Sequence, residues 1–216
     1  MTSYNYRHDE ALETIARKVI TKYDPALLKE PAPIPVDDIM ERVYDLTLEF
    51  HIIRKNGRIL GETIFEDTEI PIYEPHNNEG YKVIPVKAGT VIIDARLLDE
   101  GNDGRYRFTC AHELAHWVID RKYFMQIGET AALTSETADV MRKSIAISSN
   151  TSAMIERQAN RMASRILMPK CTLKPAYHHV RGTSLSPAAV PVHLANLYGV
   201  SKQAMQIRLE EMGLTI

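Results

Sequence analysis

A chain of 216 residues, 44% hydrophobic and 25% charged, has enough apolar material for a sizeable core, yet no apolar run approaches the roughly 20 residues of a membrane span. The formal charge of −2 and a pI near 6.5 give no overall attraction to phosphate backbones or anionic lipid, which argues against a dedicated DNA binder. Two cysteines without a C-x-x-C pair, Cys110 and Cys171, and an N-terminus, MTSYNYRHDE, lacking an apolar signal core lead to the expectation of a reducing, cytoplasmic location.

Leu12, Ile15, Ala16, Val19, Ile20 and Tyr23 recur at helical spacing, so residues 9 to 23 read as an amphipathic helix docked by one face. Four prolines between Pro25 and Pro35 then enforce an extended connector, and VDDIMERVY reads as a short helix ending near Asp45. Leu46, Leu48, Phe50 and Ile52 alternate with Thr47, Glu49, His51 and Ile53 as in a half-buried strand, and Asn56-Gly57 supplies turn chemistry before RILGETIF. This pattern predicts a β-hairpin. Residues 66 to 89 mix Pro, Asn, Gly and acidic groups with short apolar pieces, whereas TVIID at 90 to 94 reads as a compact buried strand.

From Arg105 the pattern turns helical, with Asp103 as the expected N-cap and Phe108, Ala111, Ala115, Val118 and Ile119 available for packing. Within it, RFTCAHELAHWVI carries two histidines and a glutamate in apolar surroundings. Residues four apart lie above one another on a helix, so His112 and His116 project from one face, with Glu113 one position round. Two neutral imidazoles at that spacing can bind one Zn²⁺, and the carboxylate between them then stands beside the metal as a proton acceptor. The competing reading is a helix with chance surface histidines. Cys110 is rotated about 200° from His112 and reads as a small core residue.

A catalytic zinc needs a third protein ligand. A second periodic segment, MIERQANRMASRILMP, has Ile155, Ala159, Met162 and Ile166 as its apolar stripe and Glu156, Asn160, Ala163 and Leu167 as a neighbouring one, so Glu156 can face inward. Alone, a glutamate near a helix start is no more than a favourable charge at the positive end of the dipole. Asn160, one turn further on, can accept the free ring N–H of a ligand histidine. Tyr177, His178 and His179 follow closely enough to be candidate donors to a tetrahedral oxyanion, while His8, His51, His76 and His193 lack partners at ligand spacing. The 39-residue interval between His116 and Glu156 contains KSIAISSNTS (143 to 152), whose Ser-rich character favours mobility.

RFTCAHELAHWVID followed by IERQANRMASRILMP resembles the ImmA/IrrE family of metallo-endopeptidases, which pair an R-F-T-x-A-H-E-x-x-H helix with a later E-x-x-x-N-x-x-A-x-x-L-M-P helix. The resemblance covers the two site helices closely and residues 9 to 97 more loosely. It implies a gluzincin-like arrangement with one Zn²⁺ per chain held by His112, His116 and Glu156, and Glu113 as the catalytic carboxylate. It further implies a protein substrate, a helix-turn-helix repressor encoded nearby in a mobile-element or stress-response locus. The expected fold is α+β, mostly helical and zincin-like, with a small antiparallel or mixed sheet. The substrate would add as a strand to RILGETIF or to TVIID.

The C-terminal segment VHLANLYGVSKQAMQIRLEEMGL reads as a helix-turn-helix, with Leu194 and Leu197 on the first helix, Gly199 at the turn, Ser201 as N-cap, and Ala204, Met205, Leu209 and Met212 on the second. We therefore expect a metallopeptidase domain over 1–183 and a helix-turn-helix-like lobe over 184–216 packed on it. The second helix is expected to expose Lys202, Gln203, Gln206 and Arg208. From Pro187 to Ile216, Lys202 and Arg208 are balanced by Glu210 and Glu211, so DNA binding through 192–213 is disfavoured, even with Lys170, Lys174 and Arg181 nearby, and a packing or partner-docking lobe is favoured. The alternative for the whole chain is a non-proteolytic, metal-containing regulatory module that binds a repressor or DNA.

Overall fold

The computed structural model describes residues 4–75, 80–99, 101, 103–127, 132–134 and 149–214. Helix α1 (Asp9–Tyr23) buries Leu12, Ala16, Val19 and Ile20, the stripe its periodicity predicts. After the proline connector, α2 (Val36–Tyr44) ends at Asp45, which adopts a left-handed φ of 53° and closes the helix by donating its N–H to the Met40 carbonyl.

Strands β1 (Thr47–His51), β2 (Gly61–Ile64) and β5 (Thr90–Asp94) form a mixed sheet in the order β1-β5-β2, with β6 (Ala132–Thr134) added along the outer side of β2. The hairpin expected between residues 46 and 65 is thus not formed. The Asn56-Gly57 turn is present, with Gly57 at φ +66° and its N–H bonded to the Arg54 carbonyl, but β5 inserts between the two strands. It runs parallel to β1 and antiparallel to β2. The reason lies in burial: all five residues of β5 are buried, whereas β1 is only half-buried, so the most apolar strand takes the centre. Residues 66 to 89, which show no clear strand period, supply a separate hairpin of β3 (Thr68–Tyr73) and β4 (Tyr81–Val86).

The sheet lies between two cores. Val91 and Ile93 of β5 face the helices, and Ile92, on the opposite face, joins Ile53, Ile59, Ile64, Ile70, Ile72 and Val86 beneath the β3-β4 hairpin. On the helical side, α3 (Asp103–Ala115) packs against α5 (Ser149–Leu167) and the sheet. Asp103, expected as an N-cap, is instead the first helical residue. Beyond Ala115 the helix continues as a π turn (His116–Asp120) and then α4 (Arg121–Ile127). Residues 149 to 152, the end of the Ser-rich stretch expected to be mobile, are the first turn of α5, and residues 143 to 148 lie outside the described residues.

Helices α6 (Lys170–Arg181), α7 (Val190–Tyr198) and α8 (Lys202–Glu211) complete the helical side. The turn between α7 and α8 follows the sequence reading: Gly199 sits at φ 62° and the Ser201 hydroxyl oxygen accepts from the Ala204 N–H at 3.1 Å. Leu194, Tyr198, Met205 and Leu209 belong to the same apolar core as α1, α3 and α5. Arg208 corrects the expectation of an exposed basic helix. It is 1% exposed, its guanidinium paired with Glu13 of α1 and bonded to the Met168 carbonyl at 3.3 Å. With Arg165, Asp9 and Glu211 it forms an ion-pair cluster that ties α8 to α1 and α5, because a buried guanidinium is tolerated only where carboxylates match it. Among the described residues no helix is long and apolar enough to cross a membrane.

Candidate metal centre

His112, on the last turn of α3, and His116, the first residue of the π turn, lie one turn apart, both buried, with ring planes at 83°. Glu156, in the second turn of α5, comes alongside because α3 and α5 pack along their length. Its carboxylate oxygens lie 3.3 Å from His112 Nε2 and 3.7 Å from His116 Nε2, and the two Nε2 atoms are 3.0 Å apart. The other nitrogen of each ring is committed: His112 Nδ1 lies 3.1 Å from Asn160 Oδ1 and His116 Nδ1 lies 2.8 Å from Asp120 Oδ2. Both partners are oxygens that accept, so each Nδ1 carries the proton and both Nε2 lone pairs converge on one point beside a carboxylate. Such convergence is repulsive unless a proton or a metal cation sits between the rings. The edges of a zinc tetrahedron with ~2.0–2.1 Å arms are about 3.3 Å, close to these separations, and the two-nitrogen, one-oxygen donor set suits the same ion. His112, His116 and Glu156 are thus a candidate metal site.

The electrostatics point the same way. Burial of His116 opposes its charged form, but the Asp120 hydrogen bond and the negative charges of Glu156, Asp120 and Glu113 outweigh it and push the imidazole up to about 9. Burial would raise Glu156, but the His112 hydrogen bond and the adjacent ring charges hold it below the usual carboxylate range. The pocket therefore favours positive charge at its centre.

Glu113 is fully buried beside this group. Oε2 accepts from the Thr63 hydroxyl of β2 at 2.7 Å, and Oε1 has no hydrogen-bond partner among the described residues. Burial raises its carboxyl above the ordinary value, against His112, His116 and the Thr63 hydrogen bond. The carboxylate fits because β2 presents Gly61 there: a Cβ at that position would lie 2.7 Å from Glu113 Cγ and 2.8 Å from Cδ.

Sequence reasoning missed Asp120, Tyr4, Thr63 and Gly61. Asp120 was within reach, since it stands four residues after His116, although the π turn that carries the two residues was not predictable. Asp120 also accepts from Tyr4 at 2.5 Å, while the Arg7 guanidinium donates to the Ile119 carbonyl at 2.8 Å, so the segment before α1 braces the π turn. Burial and Asp120 push the Tyr4 phenol far above its ordinary value. Trp117, on the same turn, stacks on Phe65 and lies under Arg121.

The remaining candidates lie outside α3 and α5. Tyr177 is buried in the main core, and His178 and His179 are exposed on α6. His51 lies 3.2 Å from Glu49, His8 precedes α1, His193 is exposed on α7, and His76 lies outside the described residues. Of the two strands considered for substrate pairing, β5 is bonded to β1 and β2, and β2 is bonded to β5 and, along residues 62 to 64, to β6.

A search of curated proteins returns no match. A family model described as the IrrE N-terminal-like domain, Peptidase_M78, matches residues 89–210, more than half of the chain, and spans β5, both site helices and most of α8. With the two-histidine, one-glutamate site inside the matched segment, the chain belongs to the ImmA/IrrE metallopeptidase family.

Proposed function

We propose that this metallopeptidase is a zinc-dependent endopeptidase in which Glu113 is the general base and acid. The observation that carries the reading is the Glu113 carboxylate, buried beside the two-histidine, one-glutamate site with one oxygen held by Thr63 and the other without a partner among the described residues. A zinc ion held by His112, His116 and Glu156 would polarise the peptide carbonyl and make a water molecule acidic enough to react near neutral pH. Glu113 takes the proton from the attacking water at Oε1 and returns it to the departing amine as the C–N bond breaks. Thr63 keeps the other oxygen fixed through both transfers. Asn160 and Asp120 hold the two ligand rings in the required tautomer.

The substrate is a protein chain whose scissile bond lies at the metal site, beside the strand β2 that carries Thr63 and Gly61. Its narrower identity, a helix-turn-helix repressor encoded near the gene, rests on the family resemblance.

The test incubates zinc-loaded protein with that repressor and with a proteome-derived peptide library, alongside Glu113→Gln. The expected result is cleavage by the wild type and loss of about 10²–10⁴-fold in rate by the variant at unchanged metal content. Wild type that carries a full equivalent of zinc and leaves both substrates intact would refute the proposal in favour of a non-proteolytic regulatory module.

A further inference from the structure

In the short segment ahead of α1, Tyr4 and Arg7 are half-buried, whereas Asn5, Tyr6 and His8 are exposed. The two half-buried residues reach both elements that meet at the metal site. The Tyr4 hydroxyl donates to Asp120 Oδ1 at 2.5 Å and the Arg7 guanidinium to the Ile119 carbonyl at 2.8 Å, so both end on the π turn that carries His116. The Arg7 N–H donates to Gln158 Oε1 at 3.1 Å, and Gln158 is a fully buried residue of α5, two positions beyond Glu156. The Tyr4 ring meets Tyr123 edge to face at 5.2 Å and packs on the cluster of Phe65, Phe124 and Ile155, the last adjacent to Glu156 in the chain.

This pattern matters because the ligands come from two elements, and one of those elements is a π turn. Such turns are rare, and their backbone bonds span one residue more than the α-helical ladder. Asp120 is the sensitive point. Its side chain is fully buried, with Oδ2 2.8 Å from His116 Nδ1 and Oδ1 held by Tyr4. A buried carboxylate is stable only where donors meet its oxygens. Without the Tyr4 hydroxyl, Oδ1 must turn towards another donor or draw in water, and either movement carries Oδ2 away from the ring it orients.

We infer that Tyr4 is a positioning residue for the metal site: Arg7 fastens the segment before α1 across the π turn and α5, and the Tyr4 hydroxyl, acting through Asp120, holds His116 in the orientation that retains the metal. The clamp depends on the metal-site reading and not on peptide cleavage, so its test needs no substrate. Two effects of the hydroxyl oppose each other. It draws charge from the carboxylate, which weakens Oδ2 as an acceptor, and it fixes the direction of that acceptor. Direction wins, because a hydrogen bond weakens steeply once it is misaligned. A direct partner of a ligand histidine is worth about 10–100-fold in metal affinity, and Tyr4 stands one bond further out, so its removal should cost about tenfold.

The experiment measures zinc affinity by competition with a chelating indicator, and the visible absorption of the Co²⁺-loaded protein, for wild type, Tyr4→Phe and Tyr6→Phe, with melting curves to check folding. Tyr4→Phe keeps the ring on Tyr123 and loses only the hydroxyl. Tyr6→Phe is the same change two residues away, at a hydroxyl that accepts from Arg161. The expected result is a Kd for zinc about tenfold higher in Tyr4→Phe, with a shifted cobalt spectrum, and wild-type behaviour in Tyr6→Phe. In an Asp120→Ala background, Tyr4→Phe should add no more than about twofold, since the group it acts through is gone. A folded Tyr4→Phe protein that binds zinc as tightly as wild type, or more tightly, would overturn the inference. So would an equal loss in Tyr6→Phe, the mark of general loosening, or a tenfold loss that persists without Asp120. Wild type that binds no zinc would overturn the metal site and the clamp together, whereas a failure to cleave peptides counts against the endopeptidase reading alone.

Discussion

Replacing Gly61 by alanine is the sharpest test of how the sheet serves Glu113. Gly61 does not have a positive φ, so the substitution carries no backbone strain, and the whole effect is steric. The new methyl would lie 2.7 Å from Glu113 Cγ, 2.8 Å from Cδ and closer still to Oε1. Ordinary carbon contacts begin near 3.5 Å, so the carboxylate must move by about 0.8 Å or β2 must retreat by the same amount. Glu113 is fully buried, so its escape also disturbs the 2.7 Å bond to Thr63. A misplacement on the order of 1 Å at a reacting group costs about 100-fold in rate, and overpacking a filled site costs about 1–3 kcal/mol of stability. None of the three candidate ligands is touched, so metal content should stay at the wild-type level. The assay is kcat on a peptide cleaved by the wild type, measured beside metal content and a melting curve. A Gly61→Ala protein that is folded, fully metallated and within threefold of wild-type kcat would refute the idea that this glycine makes room for a Glu113 carboxylate used in the reaction.

Asp120→Asn keeps the shape and an acceptor near His116 Nδ1 but removes the charge, so metal affinity should fall about 10–100-fold in a chelator competition; an unchanged affinity would show that Asp120 does not set the basicity of that ligand. Glu62 is 3% exposed and shares the face of Ile64 and Ile92; burial, with Glu113 adding to it against Arg54, raises its carboxyl from 4.5 to about 7. The folded chain therefore keeps a proton that the unfolded chain loses, and stability contributed by this group falls as pH rises from about 4.5 to 7 and is level above that, by on the order of 3 kcal/mol in all. Glu62→Gln should remove this fall, so its advantage over wild type in denaturant melts grows across that window; parallel stability curves for the two proteins would contradict the assignment.

How much could be read in advance followed the range of the forces involved. His112, Glu113 and His116 stand within five residues on one helix, and Glu156 with Asn160 within five on another, so the 3.6-residue period alone put each set on a common face. The turn between α7 and α8 was equally local: Gly199 caps α7 and Ser201 caps α8, each acting on the chain within four residues of itself. What brings α5 to α3, and so Glu156 to the histidines, is packing between the apolar stripes of two helices distant in sequence. The alternation in residues 46 to 65 was real, but strand period does not name a partner, and β5 took the place between the two because complete burial on both faces gains more than a local hairpin does. Gly61 and Thr63 gained their meaning from the same choice, since only the assembled sheet sets β2 over Glu113, fifty residues away. Arg208 shows the limit most plainly. Its place in the sequence marked a charged helix surface, but the carboxylate that draws it inward belongs to Glu13, 195 residues earlier, and a charge is worth burying only where its partner has already been brought.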